Sequence, residues 1–563
     1  MKSLKKYILV ALAACTLTSC EDTLMEKPSG SYEEATYFDS EEHAEMALYG
    51  IMSSISENTH YGWYEQAVPC SDDTYFTSRT TNDNAIHDMA HYVVRNTNTW
   101  VARLWLLKYQ ALDRANRTVA GIESMGKFNS SDKLRQLACK ARFLRAFMAF
   151  DLVKSWGDVP FAIQAVGAYD QAFRPRVSRE LIYDQILEDL EIAGSDPMPW
   201  ASAGVSSEEI TAGAAHALAM RVLMQRAGYS LQLNGEMARP DDARREEYFK
   251  EVIRHWEAIR NNGYHDFNDG GYADFFKSLS HSSNTSQESI WEVGCFHEQG
   301  RRNGSTWGIY NGPLVAAPTG IPVTEQSAYM GRTNAFFYVV PEWYDFYEES
   351  DVRRDVNICT YRYTWNASKR EHTKDERGSK SWYVGKWRRE WMDPSVWNKN
   401  MNYGDINVVI LRYSDMVLLA AEAYNELKQP DKAWELISQV RTRANASAVD
   451  ASTFATVYAK ARQSRNPEFI PDGSEQGKIR QALYFERAFE MCYEGVRKFD
   501  LIRWGCLYDA LKLFGENSVV NSGTNLAYPA YRNFIPGHSE LLPIPLVEIQ
   551  SNSALNGVNN PGY

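Results

Sequence analysis

Asp72-Asp73 is the only loop pair of carboxylates in the sequence that could pose as the acid and base of a glycoside hydrolase. That chemistry needs two carboxyl groups facing each other across a bound sugar, roughly 5 to 9.5 Å apart. Adjacent residues rarely face one substrate, so this pair reads better as a helix cap or as part of a binding loop. Other beginnings of chemistry stop short. Gly473 to Lys478 is one residue too short for a phosphate-cradling loop and has no Ser or Thr after the lysine. His297-Glu298 lacks the second histidine of a zinc protease. Asp266-x-Asn268-x-Gly270-Gly271 starts like a calcium loop but reaches Lys277 where a bidentate glutamate is needed, which makes it a solvated turn. Cys70, Cys139, Cys295, Cys359, Cys492 and Cys506 are widely scattered and form no CxxC pair, so neither a zinc site nor a thiol redox motif is indicated. The expectation is a protein with no catalytic residues, no metal and no cofactor.

What the sequence offers instead is aromatic surface. It holds 33 Tyr, 16 Trp and 23 Phe, some of which must fill the core while any surplus lies at the surface. A flat ring exposed at a surface stacks on the C–H face of a sugar. Trp63, Tyr64 and Tyr75, with Asp73 beside them, fall in an N-terminal loop region. Trp307, Tyr310 and Tyr329 fall in a second irregular region, where Arg301, Asn303 and Asn311 supply groups for hydroxyls. The expected ligand contacts are Trp63, Asp73, Tyr75, Trp307, Tyr310 and Tyr329. A denser cluster, Trp382, Tyr383, Trp387, Trp391 and Trp397, is interleaved with Lys and Arg and ranks behind them. Large aromatics are mostly buried on average, so the expectation concerns the clusters rather than each ring.

The elements that must position these rings are helices. Apolar residues recur at helical spacing over Ser40–Ser56, Trp100–Ile122, Leu134–Trp156, Arg179–Ala193 (entered through Ser178 as N-cap), Ile210–Leu233 and Arg244–Arg260. Val408–Leu427 and Asp431–Asn445 are joined by the short turn Lys428-Gln429-Pro430. There Ala421, Tyr424 and Ala433 occupy the small, aromatic and small positions of a tetratricopeptide repeat. One repeat cannot bury its faces alone, so the earlier pairs should stack beside it as divergent repeats. The fold class is therefore mostly α: a tetratricopeptide-like helical scaffold with an irregular, loop-rich ligand-binding insertion over about 262–407 and a few short strands, such as Ser289–Val293. Residues 478–506 form a compact block, and the tail from Gly515 is irregular.

The N-terminus sets the compartment. Lys2, Lys5 and Lys6 precede a short apolar run from Tyr7 to Leu17, too short to span a bilayer permanently, and the run ends in Leu17-Thr18-Ser19-Cys20. This resembles a bacterial lipobox: residues 1–19 are a signal peptide, and Cys20 is the lipid attachment site. Two or three acyl chains on one cysteine give stable anchoring. Net charge is −12 for the full chain and −15 once residues 1–19 leave with their three lysines, so nucleic acid is disfavoured as a partner.

Several segments carry a family likeness. Ala141-Arg142-Phe143-Leu144-Arg145-Ala146-Phe147 runs on to Leu152-Val153-Lys154-Ser155-Trp156-Gly157-Asp158-Val159-Pro160. Glu486-Arg487-Ala488-Phe489-Glu490 is followed by Glu494-Gly495-Val496-Arg497 and Asp500-Leu501-Ile502-Arg503-Trp504-Gly505. Arg412-Tyr413-Ser414-Asp415 opens the repeat helix, and Leu542-Pro543-Ile544-Pro545 with Asn560-Pro561-Gly562-Tyr563 closes the chain. In these segments and their order the chain resembles the SusD/RagB family of Bacteroidetes outer-membrane nutrient-binding lipoproteins. Physically the motifs read as scaffold, a charge-paired, Trp-packed helix junction. The resemblance implies an N-terminal SusD-like helical region over 20–240 and a C-terminal RagB/SusD region over 241–563. It also implies a lipid-anchored protein on the outer face of the outer membrane that captures oligosaccharides or polysaccharides as a lid on a SusC-like TonB-dependent transporter. The same lid role for peptides or another nutrient is the alternative, and a surface hydrolase is a third reading. Sugars favour exposed Trp and Tyr plates, peptides favour strand edges or charged grooves, and hydrolysis needs opposed carboxylates.

Overall fold

The computed structural model describes residues 37–76, 85–281, 283, 285–295, 305–306, 312–396, 404–522 and 525–563. The signal segment, Cys20, Trp307, Tyr310 and Trp397 lie outside these residues.

About half of the chain is helical. The main helices are α1 (Glu41–Ile55), α2 (Thr99–Glu123), α3 (Asp132–Trp156), α4 (Arg179–Ala193), α5 (Ala212–Ala227), α6 (Asp242–Asn262), α7 (Gly271–Ser280), α8 (Tyr413–Glu426), α9 (Pro430–Arg443), α10 (Glu475–Met491) and α11 (Arg497–Arg503). Their starts are written in the sequence. Side chains of Ser40, Asn98, Ser131, Ser178, Thr211, Asp241 and Ser474 each accept a backbone N–H of the first turn. Sequential helices pack as antiparallel pairs, α2 on α3, α3 on α4, α5 on α6 and α8 on α9, and α8 also meets α6 and α10. Ala421 and Ala433 are fully buried where α8 and α9 cross, with Tyr424 filling the gap beside them. The expected repeat geometry is thus present.

Two helix limits differ from expectation. Residues Val408–Arg412 are not the first turn of α8 but a strand, because the β-branched run Val408-Val409-Ile410 pairs with Ser289–Val293. Helix α5 stops at Ala227, and the chain turns through a tight hairpin, Ser230-Leu231 against Met237-Ala238.

Short strands gather in and around the insertion: β1 (Thr74–Phe76), β2 (Ser289–Val293), β3 (Phe337–Val339), β4 (Ile358–Cys359), β5 (Tyr361–Asn366), β6 (Glu371–Glu376), β7 (Tyr383–Val384) and β8 (Val408–Arg412). Strands β1, β3, β7 and β4 form one antiparallel sheet in that order, with Tyr75 opposite Tyr338 and Tyr338 opposite Tyr383. The three tyrosine rings meet edge to face at 5.8 and 5.0 Å. Strands β5 and β6 form a separate hairpin, and β2 pairs with β8.

The scaffold is held together by buried ions as much as by apolar packing. Glu486 and Glu490, one turn apart on α10, and Glu494 just beyond it face a set of cations. Arg412 lies 3.0 Å from Glu288, 2.7 Å from Glu490 and 2.8 Å from Glu494, and Arg353 lies 3.0 Å from Glu486. Arg487 bridges Asp415 and Asp500 at 2.8 and 2.7 Å. The surrounding arginines hold the Glu490 carboxyl well below its usual range in spite of its burial. Removing one partner from such a network costs about 3–5 kcal/mol, because a charge is left buried alone. The six cysteines from Cys70 to Cys506 are buried free thiols. No helix among the described residues is long and apolar enough to cross a membrane.

Candidate ligand-binding site

The carboxylate pair comes first, since it bears on catalysis. Asp72 is fully buried. Its two oxygens receive Arg497 Nε and Nη2 at 2.8 and 2.7 Å, and Tyr484 donates its hydroxyl at 2.6 Å. Asp73 accepts from the Ser71 hydroxyl and, at 3.3 Å, from the Tyr493 backbone N–H. Burial, and then the neighbouring Asp72 charge, push the Asp73 carboxyl above its usual value. The pair is a clasp between the segment leading into β1 and the C-terminal block around α11, and the void that Asp73 lines, about 20 Å³, is too small for a sugar ring.

A second polar cluster has the composition of a metal site. Ligand atoms of His60, Glu65 and Asp151 lie within 4.8 Å of one another, all buried. Lys108 Nζ, however, sits among them, 2.7 Å from Glu65, 3.0 Å from Asp151 and 3.0 Å from His60 Nε2. Burial and the adjacent ammonium lower the His60 pKa to about 4, leaving it neutral. Lys108, with Lys154 3.1 Å from the other Asp151 oxygen, supplies the positive charge that the two carboxylates need.

The aromatic expectations divide. Trp63 is 6 % exposed, Tyr75 is 2 % exposed and Asp73 is likewise buried, so the sequence reading of these three as surface contacts is corrected. Each is covered by residues far away in sequence. Trp63 is covered by Phe336 and Phe337, and Tyr75 by Tyr338 and Tyr528. Tyr329 stays half-exposed and meets the Trp365 ring edge-on at 4.9 Å. Trp307 and Tyr310 lie outside the described residues. Their neighbour in sequence, Thr306, donates both its N–H and its hydroxyl to the Gly62 carbonyl, at 2.8 and 3.0 Å, immediately beside Trp63. Within the third cluster, Tyr383 and Trp387 are buried, Trp382 packs on Tyr344, and Trp391 lies under the Arg388 guanidinium.

Two aromatic groups with half-exposed members result. In the first, Trp63 stacks on Phe336 at 6.2 Å, Phe336 stacks on Phe76 at 5.6 Å, and Trp100 meets Trp63 edge-on at 5.5 Å. Trp100, at one end of this row, and Phe336, between Trp63 and Phe76, are its half-exposed members. In the second, Tyr361, Tyr363 and Trp365 share one face of β5. Opposite them, His372 meets Trp365 at 4.9 Å and Lys374 Nζ lies 4.1 Å from the Tyr361 ring centre.

Two family profiles match this chain in succession. One, described as starch-binding associating with outer membrane, matches residues 24–224, and the other, described as the SusD family, matches residues 287–563. The chain belongs to the SusD/RagB family. Among SusD relatives, a SusD-like protein P25 from Formosa agariphila is 24 % identical over 97 % of each chain, and a SusD-like protein P2 from the same organism is 23 % identical over the full length of both. The solved SusD homolog of Bacteroides thetaiotaomicron superposes with a TM-score of 0.74 at 22 % identity, covering 94 % of this chain and 98 % of that one. Surface glycan-binding protein A of the same organism, solved with laminarihexaose, gives 0.63 at 19 % identity, covering 92 % and 99 %. The SusD fold is thus shared along nearly the whole chain, and the family is one of glycan-binding proteins associated with the outer membrane.

In this SusD chain the family segments are indeed scaffold. Trp156 is fully buried and donates its indole N–H to the Pro543 carbonyl at 2.8 Å, tying the helix that ends at Gly157 to the Leu542-Pro543-Ile544-Pro545 segment. Asn560 Nδ2 donates to the Trp156 and Leu542 carbonyls. Sequence reasoning missed Trp100, Phe336 and Trp365. The alternation was there to be read: Ala335, Phe337 and Val339 point inward and Phe336 and Tyr338 outward, just as Tyr361, Tyr363 and Trp365 share one face.

Proposed function

We propose that this protein is a cell-surface lipoprotein, anchored through Cys20, that captures oligosaccharides and passes them to a SusC-like TonB-dependent transporter. The observation that carries the capture is the row Trp100–Trp63–Phe336–Phe76. Trp63 and Phe76 are buried and fixed by packing, and they hold their half-exposed neighbours Trp100 and Phe336 in place before any ligand arrives. A preorganised ring loses little freedom on binding. Trp307 and Tyr310, which lie outside the described residues, are proposed as further ligand contacts. Tyr329 with Trp365 is proposed as an outlying contact. A related chain, surface glycan-binding protein A, holds laminarihexaose on the same fold.

The protein is proposed to bind without hydrolysing, since its loop carboxylates are committed to Arg497, Tyr484 and Ser71. A lid over a barrel mouth should bury more than about 2,000 Å² in its contact with the transporter. Screening the protein against a glycan array, then purifying it from native membranes in mild detergent, tests both halves. The expected result is one class of bound glycan, returned uncleaved, and a TonB-dependent barrel at comparable abundance. Cleavage of the bound glycan, or recovery of the lipoprotein alone under conditions that keep other surface complexes whole, contradicts the reading.

A further inference from the structure

Helix α2 carries two neighbouring stripes of unlike character. Trp105 and Tyr109 stand one turn apart on the first, and Leu106, Gln110, Asp113 and Arg117 recur at helical spacing on the second. Where these stripes meet the loop from Pro160 to Arg174, they enclose a cavity of about 490 Å³ that shares no residue with the aromatic row described above. Small-ligand sites occupy about 300–1,000 Å³. The loop wall is pinned to the helix. Tyr109 donates its hydroxyl to the Pro160 carbonyl at 2.6 Å, Asn116 Nδ2 donates to Ala162 at 3.0 Å, and Asp113 accepts the Val166 N–H at 3.0 Å. Asn552 Nδ2 fixes the far end, donating to the Arg174 carbonyl at 3.1 Å and to Glu548 at 3.0 Å. The cavity therefore stands formed before any ligand arrives.

Its surfaces are of two kinds. Trp105, Tyr109 and Phe161 give it aromatic walls, the first two rings 4.8 Å apart. Around them the charges balance, Asp113 and Glu548 against Arg117 and Arg174, with Arg117 Nε 2.8 Å from Asp113. Gln110 and Gln164 add neutral amides, both exposed to solvent. An ionic occupant would meet both signs in equal number and gain nothing from neutralisation. A wholly apolar one would strip water from the charged groups and return no hydrogen bond. A neutral polyol satisfies both surfaces. It lays C–H faces on the rings and turns hydroxyls, each a donor and an acceptor, toward carboxylates, guanidiniums and amides.

We propose that this cavity is a second saccharide site, selective for neutral sugars, in which the aromatic walls take the ring faces and the balanced polar groups take the hydroxyls. The site stands apart from the Trp100–Phe336 row, so its test is run with that row cut back, and failure here leaves the capture proposed for the row untouched. Calorimetry on the full chain carrying Trp100→Ala and Phe336→Ala uses maltotriose, cellotriose, laminaritriose and mannotriose as probes. At least one should bind, with an affinity that holds as salt is added, because no charge is neutralised. Trigalacturonate should not compete. Ala172→Trp, at an exposed position of the lining, should fill the cavity and abolish that binding. Gln110→Ala, on the exposed side of α2, should weaken it about three- to tenfold, the scale of one neutral hydrogen bond. Both further variants should melt like their parent. Binding by none of the neutral probes, binding that weakens with salt or is matched by trigalacturonate, or indifference to either lining substitution overturns the assignment.

Discussion

Arg497 closes on Asp72 from 425 residues away in sequence, each guanidinium nitrogen of the fork within 2.8 Å of its own carboxylate oxygen. The two partners fall in stretches matched by different family profiles, so the clasp ties the segment leading into β1 to the C-terminal block. Asp72→Asn should therefore lower stability by about 3–5 kcal/mol, the cost of stranding a buried arginine. Glycan affinity per folded molecule should not change. Chemical denaturation alongside calorimetry separates the two, and a stable variant with weakened binding would return Asp72 to the ligand site.

The Lys108 ammonium plays the part of a metal between Glu65 and Asp151. Treatment with a chelator should accordingly leave both the melt and glycan binding unchanged. Lys108→Met should destabilise by several kcal/mol, because the buried Glu65 loses its counter-charge and Asp151 is left with Lys154 alone, at 3.1 Å. A chelator-induced drop in melting temperature would show that an ion, not the lysine, holds this junction.

Glu292 gives a pH signature. Burial, and more weakly the Glu208 charge, raise its pKa to about 7, while Asn407 Nδ2 donates to it at 2.9 Å. The unfolded chain ionises this group near its ordinary value, so its contribution favours folding below about pH 4.5 and is lost as pH rises to about 7. A shift of this size corresponds to about 3 kcal/mol. Glu292→Gln should match the wild type near pH 4.5 and be the more stable protein at pH 8. Because His60 and His255 titrate in the opposite sense, the difference between the two proteins is the quantity to follow. A difference that stays flat from pH 4.5 to 8 contradicts the assignment.

Anchoring rests on a single residue. Cys20→Ala should move the protein from the outer-membrane fraction to the soluble fraction or leave it unprocessed. An unaltered distribution, with surface protease sensitivity retained, would remove Cys20 as the attachment site.

The helices were legible because their signals are local. Ser178 as a cap and the alanines around Ala421 declare themselves within a few residues of the elements they shape. What was hidden depends on distant contacts. Trp63, in the sequence Tyr-Gly-Trp-Tyr, looks like a loop plate until Phe336 and Phe337 cover it from a strand far along the chain. Asp73 looks like an exposed acid until Ser71 and Tyr493 enclose it. The start of α8 is hidden for the same reason, since only the partner strand β2 makes Val408–Arg412 extended. Of the expected contacts Trp63, Asp73 and Tyr75 are buried, while the half-exposed rings of the row are Trp100 and Phe336.

The most direct measurement is calorimetric titration of Trp100→Ala, Phe336→Ala and Trp63→Ala with the oligosaccharide that a glycan array identifies, each variant paired with a thermal melt. Trp100→Ala and Phe336→Ala should each lose about 1–3 kcal/mol of binding free energy with little change in melting, as truncated contact aromatics do. Trp63→Ala should chiefly lose stability, by about 3–5 kcal/mol, as a buried core tryptophan does. Unchanged affinity in the Trp100 and Phe336 variants, for a glycan the wild type binds, would contradict the account and place capture elsewhere.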